Sequence, residues 1–105
     1  MKSADYEFFY NTIVSMADYL TKICKVFGEV IDNIEDIDNI IKRIDLFEDD
    51  ADQAYHDFRY YVGRSKLSED SEALNYISIV ADIEKTIDDI DELANDFFRY
   101  DIKFV

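Results

Sequence analysis

The stretch Ile34-Glu35-Asp36-Ile37-Asp38-Asn39-Ile40-Ile41-Lys42-Arg43-Ile44 combines the apolar spacing of a helix with a dense set of carboxylates. Its isoleucines at positions 34, 37, 41 and 44 fall on one stripe of an α-helix, because they are three, four and three residues apart. The acidic residues lie between them and are expected on the outer face. The same pattern returns at Ile87-Asp88-Asp89-Ile90-Asp91-Glu92-Leu93. The sequence therefore predicts helices with an apolar inner face and an anionic outer face.

The composition favours a small all-helical domain. The chain has 105 residues, of which 49% are hydrophobic, so it is long enough to bury a core of its own. Pro is absent and only two residues are Gly, which favours a few long helices over a turn-rich β fold. We predict that residues 1–105 form a single acidic helical-bundle domain.

Apolar spacing continues through most of the first half of the chain. From Tyr6 to Ile44 apolar residues alternate at intervals of three and four, and flanking positions such as Tyr19 and Val26 widen the stripe. A stripe of this width suits a bundle better than a two-stranded coiled coil. Two structures fit: one continuous or kinked helix over about residues 4–47, roughly 65 Å long, or a helix that ends in a hairpin turn at Gly28.

A break is predicted next, at Glu48-Asp49-Asp50. Three consecutive acids are suited to the N-terminus of a following helix, where the helix dipole favours negative charge. That helix is expected to be short and to end at Gly63.

The last helix is expected to follow a loop over residues 64–71, with Ser68 or Ser71 as its N-cap. It carries apolar residues in the same alternation over residues 73–97. Residues 101–105 are expected to form a mixed tail.

Two pairs of segments resemble each other at offsets of 52 and 53 residues: 5–10 with 57–62, and 34–40 with 87–93. If they reflect a duplication, the two halves form similar limbs of an antiparallel hairpin. Two limbs alone leave part of the apolar stripe uncovered, and Ile at both core positions of the heptad favours more than two helices. The predicted fold is therefore an all-α antiparallel bundle of three or four helices, formed by one chain or completed by homodimerisation.

The net charge of −14 indicates the kind of partner to expect. It disfavours direct binding to nucleic acid or to an anionic membrane and favours a basic protein. The charge is concentrated in residues 29–57, with a net of −9, and in residues 73–105, with a net of −5. The N-terminus has no apolar run typical of a signal peptide, and Cys24 is the only cysteine. We therefore expect a cytoplasmic protein without an intrachain disulfide.

The acidic stretches approach the charge density of nucleic acid. A helix from Ile31 to Asp50 is about 30 Å long and holds eight carboxylates, whereas one strand of B-DNA carries roughly nine phosphates over that length. The predicted partner-binding residues are the acids of this stretch and of its counterpart: Asp32, Glu35, Asp36, Asp38, Asp45, Glu48, Asp49, Asp50, Asp88, Asp89, Asp91, Glu92 and Asp96.

The leading functional hypothesis is a non-enzymatic inhibitor that occupies the nucleic-acid-binding cleft of a basic protein or nuclease. In size, acidity and lack of catalytic residues the chain resembles phage-encoded DNA-mimic inhibitors of restriction and CRISPR systems. This is a likeness of charge and length, which no motif carries. The alternative is an immunity protein, antitoxin or helical adaptor that binds a basic partner without mimicry, through aromatic anchors such as Tyr60, Tyr61, Phe98 and Tyr100.

An enzyme is the third hypothesis. The pairs Glu35/Asp38 and Asp89/Glu92 have the spacing with which facing helices hold Mg²⁺, as in all-α nucleotide pyrophosphohydrolases. They stand at outer positions of the heptad, so no metal or cofactor is predicted.

Two single residues also bear on an enzymatic function. His56 has no metal-ligand partner at a suitable spacing and is expected on the surface or in helix packing. Cys24 is expected to be a small buried apolar group rather than a reactive thiol.

Overall fold

A computed structural model describes residues 1–32 and 34–100 of the chain, without the side chain of Ile34. Three long helices, α1 (Ser3–Asp32), α2 (Ile37–Arg64) and α3 (Ser71–Arg99), run antiparallel in sequence order. They form a bundle of 53 × 19 × 18 Å in which each helix contacts both others. The predicted all-α bundle is confirmed, with three helices in the described residues. Completion by a second copy of the chain stays a prediction.

The connection between α1 and α2 contradicts both predictions for the first half of the chain. Gly28 lies inside α1, and the helix ends only at Asp32. A 3₁₀ turn, Ile34–Asp36, leads into α2, whose first turn also contains Asp38. Asp and Asn are poor helix formers in a helix interior, and acids are favourable at a helix N-terminus. The break therefore falls in the acidic stretch and not at the glycine.

The predicted break at Glu48-Asp49-Asp50 is also wrong. These three residues are in the middle of α2, which continues for 28 residues. The interval from Ile44 to Ala51, both buried, is one heptad, so the core stripe runs through the acids without a change of phase.

The predicted helix end at Gly63 is correct to within one residue, because α2 ends at Arg64 and the predicted loop precedes α3, which begins at Ser71. Gly63 is helical, and the residue with a left-handed backbone is Lys66, at φ 55°. The N-cap of α3 is Asp70 rather than Ser68 or Ser71. Its side chain accepts hydrogen bonds from the backbone N–H groups of Glu72 and Ala73 at 2.9 and 3.0 Å, which satisfies two of the free donors at the helix N-terminus. The predicted tail, residues 101–105, lies outside the described residues.

The core consists of three columns of buried residues spaced by seven. Each helix contributes a column of residues that are at most 2% exposed, and the repeat of seven brings them to one side of each helix. The columns are Phe9, Met16, Ile23 and Val30 on α1; Ile44, Ala51 and Phe58 on α2; and Ala73, Val80, Ile87 and Ala94 on α3.

The two similar sequence segments have different structures, so the expected pair of matching limbs is not formed. Residues 34–40 include the 3₁₀ turn and the start of α2, whereas residues 87–93 are an uninterrupted part of α3.

Candidate functional site

The antiparallel packing of α2 against α3 brings seven carboxylates together in what we call the acidic seam. Asp45 interacts with Asp91, Glu48 with Asp88, and Asp52 with Glu84, so that three pairs face each other along the two helices. Asp49 lies close enough to Asp91 for its charge to act on it. The acidic seam comprises Asp45, Glu48, Asp49 and Asp52 on α2 and Glu84, Asp88 and Asp91 on α3.

Two groups of three carboxylates in the acidic seam are unusually close. Glu48, Asp49 and Asp52 each offer an oxygen, and these oxygens lie within 4.8 Å of one another. Asp52, Glu84 and Asp88 form a second such triad, and Asp52 belongs to both.

Glu84 is the most buried acid of the acidic seam. It is only 9% exposed, and its Oε2 atom is buried without a hydrogen-bond partner among the residues that the structure describes. A buried polar atom without a partner is costly, and a buried charge still more so. Within the described part of the chain, the Oε2 atom of Glu84 thus lacks the hydrogen bond that buried carboxylate oxygens ordinarily have.

Burial and crowding raise the pKa of several acids in the acidic seam. Burial, followed by a hydrogen bond with Asp52, raises the pKa of Glu84 to about 8. The same two causes raise the pKa of Glu48 to about 8. Burial and the neighbouring Asp45 raise the pKa of Asp91 to about 7, and burial also raises the pKa of Asp88. The acidic seam therefore favours either bound protons or another cation.

Lys85 is near enough for its charge to oppose the burial that raises the pKa of Asp88, but it forms no ion pair with the acidic seam in the described part of the structure. Across residues 1–32 and 34–100, none of the seven seam carboxylates forms an ion pair. Arg43 instead pairs with Glu29 of α1 at 3.1 Å, and Lys85 pairs with Asp89 at 3.3 Å.

A groove of about 570 Å³ opens beside Glu84. Besides Asp52 and Glu84 it is lined by Tyr55, His56, Arg59 and Tyr60 of α2. The guanidinium carbon of Arg59 lies 6.0 Å from the centre of the Tyr55 ring. One end of the acidic seam is therefore open to solvent and to small ligands.

Five of the thirteen predicted partner-binding residues meet in the acidic seam: Asp45, Glu48, Asp49, Asp88 and Asp91. The remaining eight lie elsewhere, four of them around the α1–α2 turn (Asp32, Glu35, Asp36 and Asp38) and four on other parts of α2 and α3 (Asp50, Asp89, Glu92 and Asp96). Of these eight, Asp89 pairs with Lys85, and Asp96 pairs with Arg99 at 3.3 Å.

Sequence reasoning missed Asp52 and Glu84. A signal was available for Glu84, which lies four residues after Val80 and three before Ile87 and so places a carboxylate in phase with the apolar stripe. Glu48, which was predicted, is in phase with Ile41 and Ile44 in the same way. A charged residue within the phase of a core stripe is a sign of a buried polar cluster.

The pairs Glu35/Asp38 and Asp89/Glu92 do not form the facing carboxylate site that their spacing allowed. In the part of the chain that the structure describes, neither triad of close carboxylates contains any of them. His56 is exposed, as expected, whereas Cys24 is exposed and not buried.

Comparison with protein-family models, with curated proteins and with solved structures finds no match to this chain. None of the helices in residues 1–32 and 34–100 is long and apolar enough to cross a membrane.

Proposed function

We propose that this protein is a non-enzymatic acidic inhibitor that binds a basic nucleic-acid-binding protein or nuclease by presenting nucleic-acid-like charge. The observation that supports the proposal is the lateral pairing of the two acidic segments, which are about forty residues apart in the sequence. Because Glu48 contacts Asp88 and Asp45 contacts Asp91, the acidic parts of α2 and α3 lie side by side.

The combined charge of the two segments is comparable to that of a duplex. Residues 37–57 and 82–99 hold seven acids each and two bases each. Each segment is about 30 Å long, over which a DNA duplex carries roughly 18 phosphates. Fourteen carboxyl groups on adjacent helices therefore approach the number of phosphates on duplex DNA over the same distance. Glu48, Glu84 and Asp91, whose pKa values are raised to about 8, 8 and 7, contribute the least negative charge near neutral pH.

The charge is also unevenly distributed over the bundle. Residues 1–28 and 58–81 have net charges of zero, and they include the end of the bundle that holds the α2–α3 turn. A basic partner is therefore attracted to one part of the molecule, which speeds encounter and sets orientation. Exposed acids on this part, such as Asp49, Asp50 and Glu92, are the best placed to act as phosphate-like groups.

Competition with nucleic acid tests the proposal. The full chain is immobilised, basic proteins are captured from a cell lysate at low salt, and duplex DNA is added as competitor. Under the proposal DNA displaces the captured proteins, and a variant with Asp49→Asn, Asp50→Asn and Glu92→Gln captures much less of them. The matched control removes three charges from the neutral part with Glu7→Gln, Asp18→Asn and Glu69→Gln. Equal loss in both variants, or capture that DNA does not displace, would argue against mimicry.

Exposed aromatic rings favour the alternative, an immunity protein, antitoxin or adaptor that binds a basic partner without mimicry. Tyr60 and Tyr100 are 67% and 65% exposed, and Phe98 is also exposed. Tyr61 is a poor anchor, because it stacks on Phe8 and donates a hydrogen bond to Asp5. If Tyr60→Ala and Phe98→Ala abolish capture while the acidic variant retains it, this alternative is correct.

Two further features belong to the proposal. The site of action is the cytoplasm, where nucleases and other nucleic-acid-binding proteins are accessible. The binding unit is the single bundle or a homodimer of it, and sedimentation analysis of the purified chain distinguishes the two.

A further inference from the structure

The triad of Asp52, Glu84 and Asp88 differs from an ordinary cluster of surface acids because one of its members is buried. Glu84 is 9% exposed, its Oε2 atom has no hydrogen-bond partner among the described residues, and its carboxylate lies within 4.8 Å of oxygens from the other two acids. Surface acids reduce their repulsion by pointing into water. The backbone of α3 places Glu84 where it cannot do so.

The three carboxylates of this triad determine which kind of ligand can bind there. Three carboxylates supply only oxygen atoms, which is the ligand set of hard divalent cations such as Ca²⁺, Mg²⁺ and Mn²⁺. Ca²⁺ binds oxygen at about 2.3–2.6 Å, so opposite ligands can be roughly 4.6–5.2 Å apart, whereas Mg²⁺ needs about 4.0–4.2 Å. Oxygens within 4.8 Å of one another are close enough to bind one such ion after small movements of the exposed side chains.

We infer that Asp52, Glu84 and Asp88 form a binding site for a hard divalent cation between α2 and α3. Glu84 supplies the inner ligand, Asp52 and Asp88 supply ligands from the outer side, and water from the adjoining groove completes the coordination. The ion would also provide the direct ion-pair partner that no Lys or Arg in the described residues supplies to the acidic seam.

This inference is independent of the proposed function. It depends on one buried carboxylate and its two neighbours, whereas charge mimicry depends on exposed acids such as Asp50 and Glu92. The second triad, Glu48, Asp49 and Asp52, has no buried oxygen without a partner in the described residues and is not part of the inference.

Calorimetric titration of the full chain tests the site. The protein is first treated with EDTA and dialysed into buffer of about 0.15 M ionic strength, so that diffuse attraction of cations is screened. CaCl₂, MgCl₂ and MnCl₂ are then titrated separately. Terbium luminescence excited through the tyrosines is a second readout, because Tyr55 lines the groove beside Asp52 and Glu84. We expect saturable binding of one ion per chain.

Three variants decide whether the ion is bound at this triad. Glu84→Gln and Asp88→Asn each remove one ligand that only this triad contains, and we expect each to weaken binding at least about tenfold. Asp50→Asn removes the same charge from an exposed position of α2 and should change the affinity less than about twofold. Asp88 is exposed, so its variant keeps the test valid if Glu84→Gln alters the fold, which circular dichroism would show.

Two results would overturn the inference. One is the lack of saturable binding below about 10⁻³ M, the weak end of the range for protein calcium sites. The other is an equal loss of affinity in Asp50→Asn and Glu84→Gln, which would mean that the cations respond to net charge and not to the triad.

Discussion

Replacement of Glu84 by Gln should stabilise the metal-free protein at neutral pH. The side chain is 9% exposed and faces Asp52 and Asp88, while His56 and Arg59 line the adjoining groove. Gln preserves the size of the side chain, needs no proton, and can donate hydrogen bonds to neighbouring carboxylates. The variant removes a group whose ionisation the folded state opposes.

The magnitude follows from proton linkage. Burial first, and then contact with Asp52, raises the pKa of Glu84 from 4.5 to about 8, and a full shift of that size corresponds to roughly 4 kcal/mol at about pH 7.5. Asp52 and Asp88 are exposed to water, which screens their repulsion of Glu84 and reduces this free energy. We therefore expect Glu84→Gln to raise the free energy of unfolding by about 1–2 kcal/mol.

The free energy of unfolding of the wild type should depend on pH in one direction. Between pH 4.5 and about 8 the folded protein keeps a proton on Glu84 that the unfolded chain has released. The free energy of unfolding of the wild type therefore falls as pH rises through this window. The advantage of Glu84→Gln should be greatest near the upper end of the window and small at about pH 4.5, where Glu84 is largely protonated in both states.

Urea unfolding in EDTA, followed by circular dichroism at the two pH values, measures the effect. Glu92→Gln is the matched control, because it is the same exchange at an exposed position of α3 and should change stability by no more than about 0.5 kcal/mol. A Glu84→Gln variant that is less stable than the wild type near pH 7.5, or equally stabilised at both pH values, would refute the reasoning.

Two further substitutions test the packing of the bundle. Ile44→Ala removes a side chain with no exposure and should lower the free energy of unfolding by about 3 kcal/mol. Leu46→Ala is the control, because Leu46 is 66% exposed, and should lower the free energy of unfolding by less than about 0.5 kcal/mol. Similar urea midpoints for the two variants would contradict the described core. Gly28→Ala should stabilise the protein by about 0.5–1 kcal/mol, because Gly28 is helical and an added Cβ meets no atom within 4 Å. A loss of stability in a thermal melt of Gly28→Ala would instead indicate a turn at this residue.

Part of the acidic seam was predictable from the sequence and part was not. Asp45, Glu48 and Asp49 stand out as members of a dense acidic helix, and Asp88 and Asp91 as members of another. The partners of each acid were not predictable, because Glu48 and Asp88 are forty residues apart and meet only when α2 and α3 pack antiparallel. Asp52 was missed because it lies outside the densest part of its acidic stretch, and Glu84 because an acid in phase with the apolar stripe was not interpreted as buried.

The sequence by itself determined the all-α class and most of the residues that line the core, because apolar spacing of three and four residues defines one face of a helix wherever that helix lies. Only the tertiary structure decided where the helices end and which acids meet. The apolar spacing continues from Val30 to Ile37 across the α1–α2 turn, so periodicity alone does not reveal the turn. The stretch from Ile34 to Ile44 is thus a turn followed by the start of α2, and the acids of α2 and α3 become a site only through a contact between distant parts of the chain.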